Sequence, residues 1–156
     1  MVIDVGLHLK EATYEDCNLI FNWANDEYVR KNSFNESKIS YENHVSWFKD
    51  RLSSDNCIIF ILYFHKTPIG QIRIDIKGSY GIIDYSIDKN HRGSGYGSKI
   101  LHMMEEVVII NYNDINKLIG KVKYNNIKSQ RAFERNKYKK TLEKENFLYL
   151  KDITFK

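Results

Sequence analysis

Arg92-Gly93-Ser94-Gly95-Tyr96-Gly97 sets three glycines on alternate positions beside a guanidinium. A backbone with so little Cβ cover can turn several N–H groups toward one ligand. The strand-like run Gly81–Ile87 precedes it and a helix-like run from Ser98 to about Tyr112 follows. A helix start adds unpaired amide donors and a partial positive charge, so strand, glycine loop and helix together make an anion site. Arg92 adds a fixed cation, and the chemistry this suits is the holding of a phosphate or diphosphate. Two common phosphate loops do not fit. The dinucleotide fingerprint needs glycine at the sixth position from Gly93, which is Ser98, and no Gly-Lys-Ser/Thr ending of a P-loop occurs. The plainer alternative is a strand-to-helix turn that is merely rich in glycine; its place between a clear strand and a clear helix favours the anion site.

The elements that must position this loop follow from apolar spacing. Residues 7–12 alternate as a half-buried strand, and Thr13 with Asp16 forms a capping-box-like start to a helix. Leu19, Ile20, Trp23 and Ala24 mark the inner face of that helix, which ends before Val29; residues 32–38 read as a loop. Ser40 caps a second helix with Tyr41, Val45, Phe48 and Leu52 inward. Two hairpin strands follow, 57–64 and 69–76, joined by a turn at 65–68 that contains Pro68, the chain's one proline. The strand before the glycine loop comes next, and the helix after it carries the apolar stripe Ile100, Leu101, Met104, Val107 and Val108. Lys117–Lys123 is a strand that returns after a helix, so a right-handed crossover lays it parallel to strand 81–88. A short helix at about 127–136 and a final hairpin, 138–143 with 147–155, complete the order βααβββαβαββ. The fold class is α+β, with a mixed, mostly antiparallel sheet and flanking helices in one domain, 1–156.

Bulk composition narrows the function. With 156 residues, 42% hydrophobic and 28% charged, the chain is long enough for a sizeable core and is not of disordered type. Its longest apolar run, Cys57–Phe64, is too short to span a bilayer, and Met1–Asp4 lacks a signal-peptide pattern. Two cysteines without metal spacing and five scattered histidines imply reduced thiols, a cytoplasmic location and no metal site. The net charge of +4 suits an anionic ligand; the lysines are spread rather than gathered on one element, which argues against nucleic acid.

The glycine loop resembles the coenzyme A pyrophosphate loop of the GNAT superfamily of N-acetyltransferases, whose pattern Gln/Arg-x-x-Gly-x-Gly/Ala is met by Arg92, Gly95 and Gly97. Downstream, Asn126-Ile127-Lys128-Ser129 and then 132–138 look like that family's Asn-x-x-Ser and closing helix, with Asn136 where glycine usually ends it. Asparagine is the next-best residue for a left-handed helix end. The resemblance covers nearly the whole chain and implies the GNAT fold, acetyl-CoA as cosubstrate without a metal, and a small-molecule amine acceptor. It also implies a monomer or homodimer that binds neither nucleic acid nor membrane.

Carried over residue by residue, the resemblance sends the pantetheine arm between strands 81–88 and 117–123. There it pairs with the backbone of Tyr85, Ser86 and Ile87, where an N–H also meets the oxyanion. The segment Gly93, Ser94, Gly95, Tyr96, Gly97, Ser98 holds the pyrophosphate beside Arg92, and Asn126 and Ser129 line the other wall; the bland reading of Asn126 is a turn residue. The usual tyrosine acid is replaced by Phe133 and the usual glutamate base by Ile82. Asp84 lies on the same strand face as Ile82 and is the first candidate base, unless it is only paired with Arg73. His44, beside Trp47, is the second, unless it is simply a surface histidine. Gln71, Arg73 and Asp75 alternate on one face and line the acceptor site or merely face solvent.

The run 21–30 with Asn32-Ser33-Phe34 and His44-x-x-Trp47-Phe48 is similar to acetyltransferases of the 4-amino group of nucleotide-linked aminodideoxy sugars in pseudaminic-acid-type pathways. That likeness implies acceptor contacts from Asn25, Arg30, Phe34 and Trp47. Acetylation of a protein N-terminus, of a polyamine or aminoglycoside, and coenzyme binding without catalysis are the other readings.

Overall fold

The structure, a computed structural model, describes residues 5–154. Met1–Asp4 and the predicted strand end at Phe155 lie outside the described residues. Among the described residues, seven strands form one sheet in the order β1-β2-β3-β4-β5-β7-β6. They are β1 (Leu7–Glu11), β2 (Cys57–Phe64), β3 (Thr67–Lys77), β4 (Tyr80–Ile87), β5 (Lys117–Lys123), β6 (Lys139–Leu142) and β7 (Asn146–Asp152). Among these strands β4 and β5 pair in parallel and the other pairs are antiparallel. Among the described residues, five α-helices flank the sheet: α1 (Cys17–Ala24), α2 (Glu27–Asn32), α3 (Tyr41–Leu52), α4 (Tyr96–Asn111) and α5 (Ile127–Arg135). The expected α+β class with a mixed, mostly antiparallel sheet is what folds.

Apolar alternation along the strands feeds a core on each face. On one, Ile72, Ile74 and Ile83 meet Ile100, Leu101, Met104 and Val108 of α4. On the other, Ile59 and Ile61 meet Ile20, Trp23 and Phe48 of α1 and α3. The glycine loop joins β4 to α4 at the edge of the first core, so both of its flanks are fixed by burial.

Four local expectations are corrected. The first helix is interrupted: a 3₁₀ turn at Tyr14–Asp16 leads into α1, and α2 then runs through Val29. Asp26 makes the break, its carboxylate accepting from the Val29 N–H at 3.1 Å as the cap of α2. Pro68 lies within β3 rather than in a turn, next to a register shift between Leu62 and Tyr63, an irregularity of the kind at which a strand tolerates proline. Helix α4 starts at Tyr96, two residues earlier than its spacing predicts. Finally, Asn136 has φ −89° and is not left-handed; Lys137 is, at φ +67°. Tyr138 N–H donates to Phe133 O and Lys137 N–H to Glu134 O, which makes the end of α5 a Schellman turn. Asn136 instead donates its side-chain amide to the carbonyls of Ser98 and Ala132, tying α5 to the first turn of α4.

Candidate active site

β4 and β5 are paired from Tyr80↔Lys117 only as far as Ile82↔Ile119, and then they part. The reason is visible one residue on. Gly120 presses flat against the buried Phe133 ring, where an added Cβ would stand 2.6 Å from Cε1. Helix α5 is thus wedged against β5 just where the strands separate. Backbone polar groups alternate along a strand, and the Asp88 N–H donates to Ile69 O in β3 at 2.7 Å. Ser86 therefore also faces β3, and its expected pairing with a pantetheine arm is corrected: its hydroxyl instead lies 3.2 Å from Gln71 Nε2. Tyr85 and Ile87 direct their backbone groups into the gap, although the Ile87 carbonyl already accepts from Arg92 Nε at 3.0 Å.

A cleft of about 790 Å³ runs through this gap to both faces of the sheet. At the coenzyme end, Gly93 and Gly95 take φ +84° and +82°, conformations that favour glycine, and nothing lies within 4 Å of where a Cβ would project. That open, left-handed backbone at a helix start fits a diphosphate. Gly93, Gly95, Tyr96, Gly97 and Ser98 line the cleft, whereas Ser94 does not. Arg92 is braced rather than free: Nη2 reaches Asp26 Oδ2 at 2.7 Å and the guanidinium lies 4.6 Å over the Tyr28 ring. It pins α2 to the loop. Asn126 caps α5 by accepting from the Ser129 N–H, and Ser129 Oγ accepts from the Tyr85 hydroxyl at 3.1 Å. Burial pushes the Tyr85 phenol up to about 12, so it stays protonated.

The opposite face of the sheet carries a polar ladder. Gln71 lies across from Ser86 and Arg73 across from Asp84. Arg73 Nη1 is 3.8 Å from Asp84 Oδ2, Arg73 Nε is 3.2 Å from Asp75 Oδ2, and the guanidinium lies 5.1 Å from the Trp47 ring. Burial works against the Arg73 charge, but Asp84 and Asp75 outweigh it and raise its pKa. Asp84 remains 57% exposed and opens onto the cleft. Asp75 is turned to Arg51 and Arg73 and is absent from the lining.

His44 is 2% exposed, not a surface residue. Its Nε2 lies 3.0 Å from the Cys17 carbonyl, which can only accept, so Nε2 carries the proton and Nδ1 the lone pair. Burial lowers its pKa against the opposing effect of that hydrogen bond, which leaves the ring neutral. Two expected acceptor contacts are braces instead. Asn25 clamps Ile39 through its N–H and carbonyl, both at 2.8 Å, and does not line the cleft. Arg30 reaches the lining, but its guanidinium donates to the carbonyls of Ala24, Asn35 and Ser37. Together they hold residues 33–39 as a strap, whose Glu36 meets Lys123 of β5 at 2.9 Å.

Sequence reasoning missed four cations of the lining: Lys121 on β5, and Lys128, Arg131 and Arg135 on α5. The last three recur at i, i+3 and i+7, so helical spacing alone could have grouped them. Among the described residues no three His, Cys, Asp or Glu side chains gather where a metal could sit, and no helix is long and apolar enough to cross a membrane.

Residues 7–139 match the family described as acetyltransferase (GNAT) domain. The chain belongs to the GNAT acetyltransferases. It is an acetyl-CoA-dependent N-acetyltransferase, and the split strands and glycine loop fit that cosubstrate. No curated protein matches it. Among solved structures it is similar to the ribosomal L7/L12 alpha-N-protein acetyltransferase RimL in complex with coenzyme A, at TM-score 0.83 and 14% identity, covering 98% of this chain and 97% of that one. It is also similar to spermidine N-acetyltransferase from Vibrio cholerae in complex with CoA and spermine, at 0.84, 13%, 96% and 96% respectively. The aminoglycoside acetyltransferase AAC(6')-Ib with ribostamycin and coenzyme A gives 0.82, 14%, 94% and 93%. At such identities these likenesses establish the GNAT fold and leave the acceptor to the cleft's own chemistry.

Proposed function

We propose that the protein transfers acetyl from acetyl-CoA to the 4-amino group of a nucleotide-linked aminodideoxy sugar. The observation that carries the reading is the charge of the cleft. Seven Lys or Arg residues line it, and Asp84 is the one acidic residue among its described lining. On the acceptor face the arginines are already partnered, and among the described residues Lys121 is the unpaired cation. An acceptor with its own phosphates finds a counter-charge there, whereas a polyamine or aminoglycoside finds one carboxylate, Asp84, and an opposing ammonium. Trp47 and Phe34 supply aromatic faces for a sugar or base.

In this reading Gly93 and the run Gly95–Ser98 hold the pyrophosphate, and the Tyr85 backbone stands beside the thioester, its N–H directed at the developing oxyanion. Asp84, exposed on the acceptor face, takes the ammonium proton directly or through water; the attacking nitrogen then forms the C–N bond as the C–S bond breaks. His44 Nδ1 is the second candidate base. Phe133 has no proton to give, and a thiol of intrinsic pKa about 8.5 is a tolerable leaving group without one. Arg92, Asn25 and Arg30 act by holding the glycine loop and the strap.

Free-thiol release with acetyl-CoA tests the reading against four acceptors: a UDP-4-amino-4,6-dideoxy sugar, spermidine, an aminoglycoside and a ribosomal N-terminal peptide. The sugar nucleotide is expected to turn over fastest by kcat/KM. Preference for spermidine or the aminoglycoside would overturn the charge argument.

A further inference from the structure

We infer that Lys121 is the residue that holds the acceptor's negatively charged group, the diphosphate of a nucleotide sugar. The inference rests on the reading of the cleft as an acetyl-CoA site whose acceptor enters from the α1–α3 face. The last β4–β5 pair is Ile82↔Ile119, so two residues further on Asp84 and Lys121 stand at the same level on the two arms of the opening. Both side chains belong to the acceptor face: Gly120 and Val122 face α5 and the α4 core, which turns Lys121 and Lys123 the other way. Lys123 shows that direction, since its ammonium reaches Lys31 O and Glu36 of the strap.

The remaining cations of the lining are otherwise engaged. The guanidinium groups of Arg30, Arg73 and Arg92 all have oxygen partners. Helix α5, with the other three, packs on α4 at the coenzyme end. Lys121 is exposed, lines the cleft, and has no hydrogen bond or ion pair with any described residue, Asp84 included. An unpaired ammonium opposite the candidate base sets a spacing. The acceptor presents its amine to one arm of the opening and an anion to the other.

Calorimetric titration of UDP into the CoA-saturated protein tests this without turnover, with uridine as the uncharged probe. Lys121→Met keeps the side-chain stem and, on an exposed position, leaves the fold intact. It is expected to weaken UDP at least about 10-fold, the loss of one charged contact, while uridine and CoA affinities stay unchanged and Lys121→Arg keeps UDP binding. Equal UDP affinity in wild type and Lys121→Met would overturn the inference, as would wild-type protein that binds CoA but not UDP. A matching loss of CoA affinity in Lys121→Met would also overturn it, placing the lysine on the coenzyme's phosphates. Failure of wild-type protein to bind CoA is a separate result, and it removes the acetyl-CoA reading beneath.

Discussion

Gly120→Ala is the substitution whose outcome the geometry constrains most tightly. The new methyl carbon would sit 2.6 and 2.9 Å from Phe133 Cε1 and Cε2, closer than real Cβ contacts come. Phe133 cannot swing away: it is 2% exposed, stacked on Tyr149 at 5.3 Å and edge-on to Tyr138 at 4.9 Å. Overpacking of this kind costs about 1–3 kcal/mol. Replacing a strand glycine by alanine returns about 0.5–1 kcal/mol of backbone entropy. The clash wins, leaving a net loss of about 1–2 kcal/mol. At about 2–4 °C per kcal/mol for a chain of this size, thermal unfolding followed by circular dichroism should show Tm lower by about 2–8 °C. Because Phe133 also lines the cleft, KM for acetyl-CoA should rise in the same variant. Phe133→Leu removes the ring edge, so the double variant should be less destabilised than the sum of the singles by about 1 kcal/mol. A Tm equal to or above wild type for Gly120→Ala, or additivity within about 0.5 kcal/mol, would refute the wedge that opens β4 from β5.

Lys137→Gly removes a left-handed residue with a Cβ from the end of α5 and should stabilise the protein by about 1 kcal/mol in urea unfolding; destabilisation would contradict the Schellman assignment. Asp84→Asn should lower kcat by about 10²-fold or more at neutral pH, with recovery at high pH and unchanged CoA affinity by calorimetry. His44 has a folded pKa below its unfolded value near 6.5, so the unfolded chain binds the extra proton. Its contribution to stability is therefore complete above the unfolded pKa and is lost as pH falls below it. His44→Asn should flatten that acid-side fall in denaturant midpoints between about pH 7 and 5, where the unfolded imidazole gains its proton.

The glycine loop was legible because its chemistry is local: alternate glycines between an alternating strand and an apolar-striped helix need no distant partner to be recognised. The parting of β4 and β5 was reachable only through family resemblance, since its physical cause is Gly120 meeting Phe133 across thirteen residues of chain. Helix α2 was missed because Glu27–Asn32 has no apolar period, and a cap at Asp26 and that residue's pair with Arg92 hold it instead. Asn25 and Arg30 looked like acceptor ligands by type, yet backbone carbonyls of the strap take their donors, and carbonyls leave no mark in a sequence. On α3 the inner face is turned from the one its spacing suggested. Tyr41 is 49% exposed, while His44 lies one turn before Phe48 and is buried with it. Lys121 went unremarked because alternation marks a face of a strand and not what stands opposite.

Initial-rate free-thiol release, with acetyl-CoA and the UDP-4-amino-4,6-dideoxy sugar both varied, tests the central claim most directly. Release is expected to require both substrates and to give double-reciprocal lines that intersect, as direct attack within one ternary complex demands. Parallel lines with an acetylated protein, or no release while acetyl-CoA binds, would contradict it.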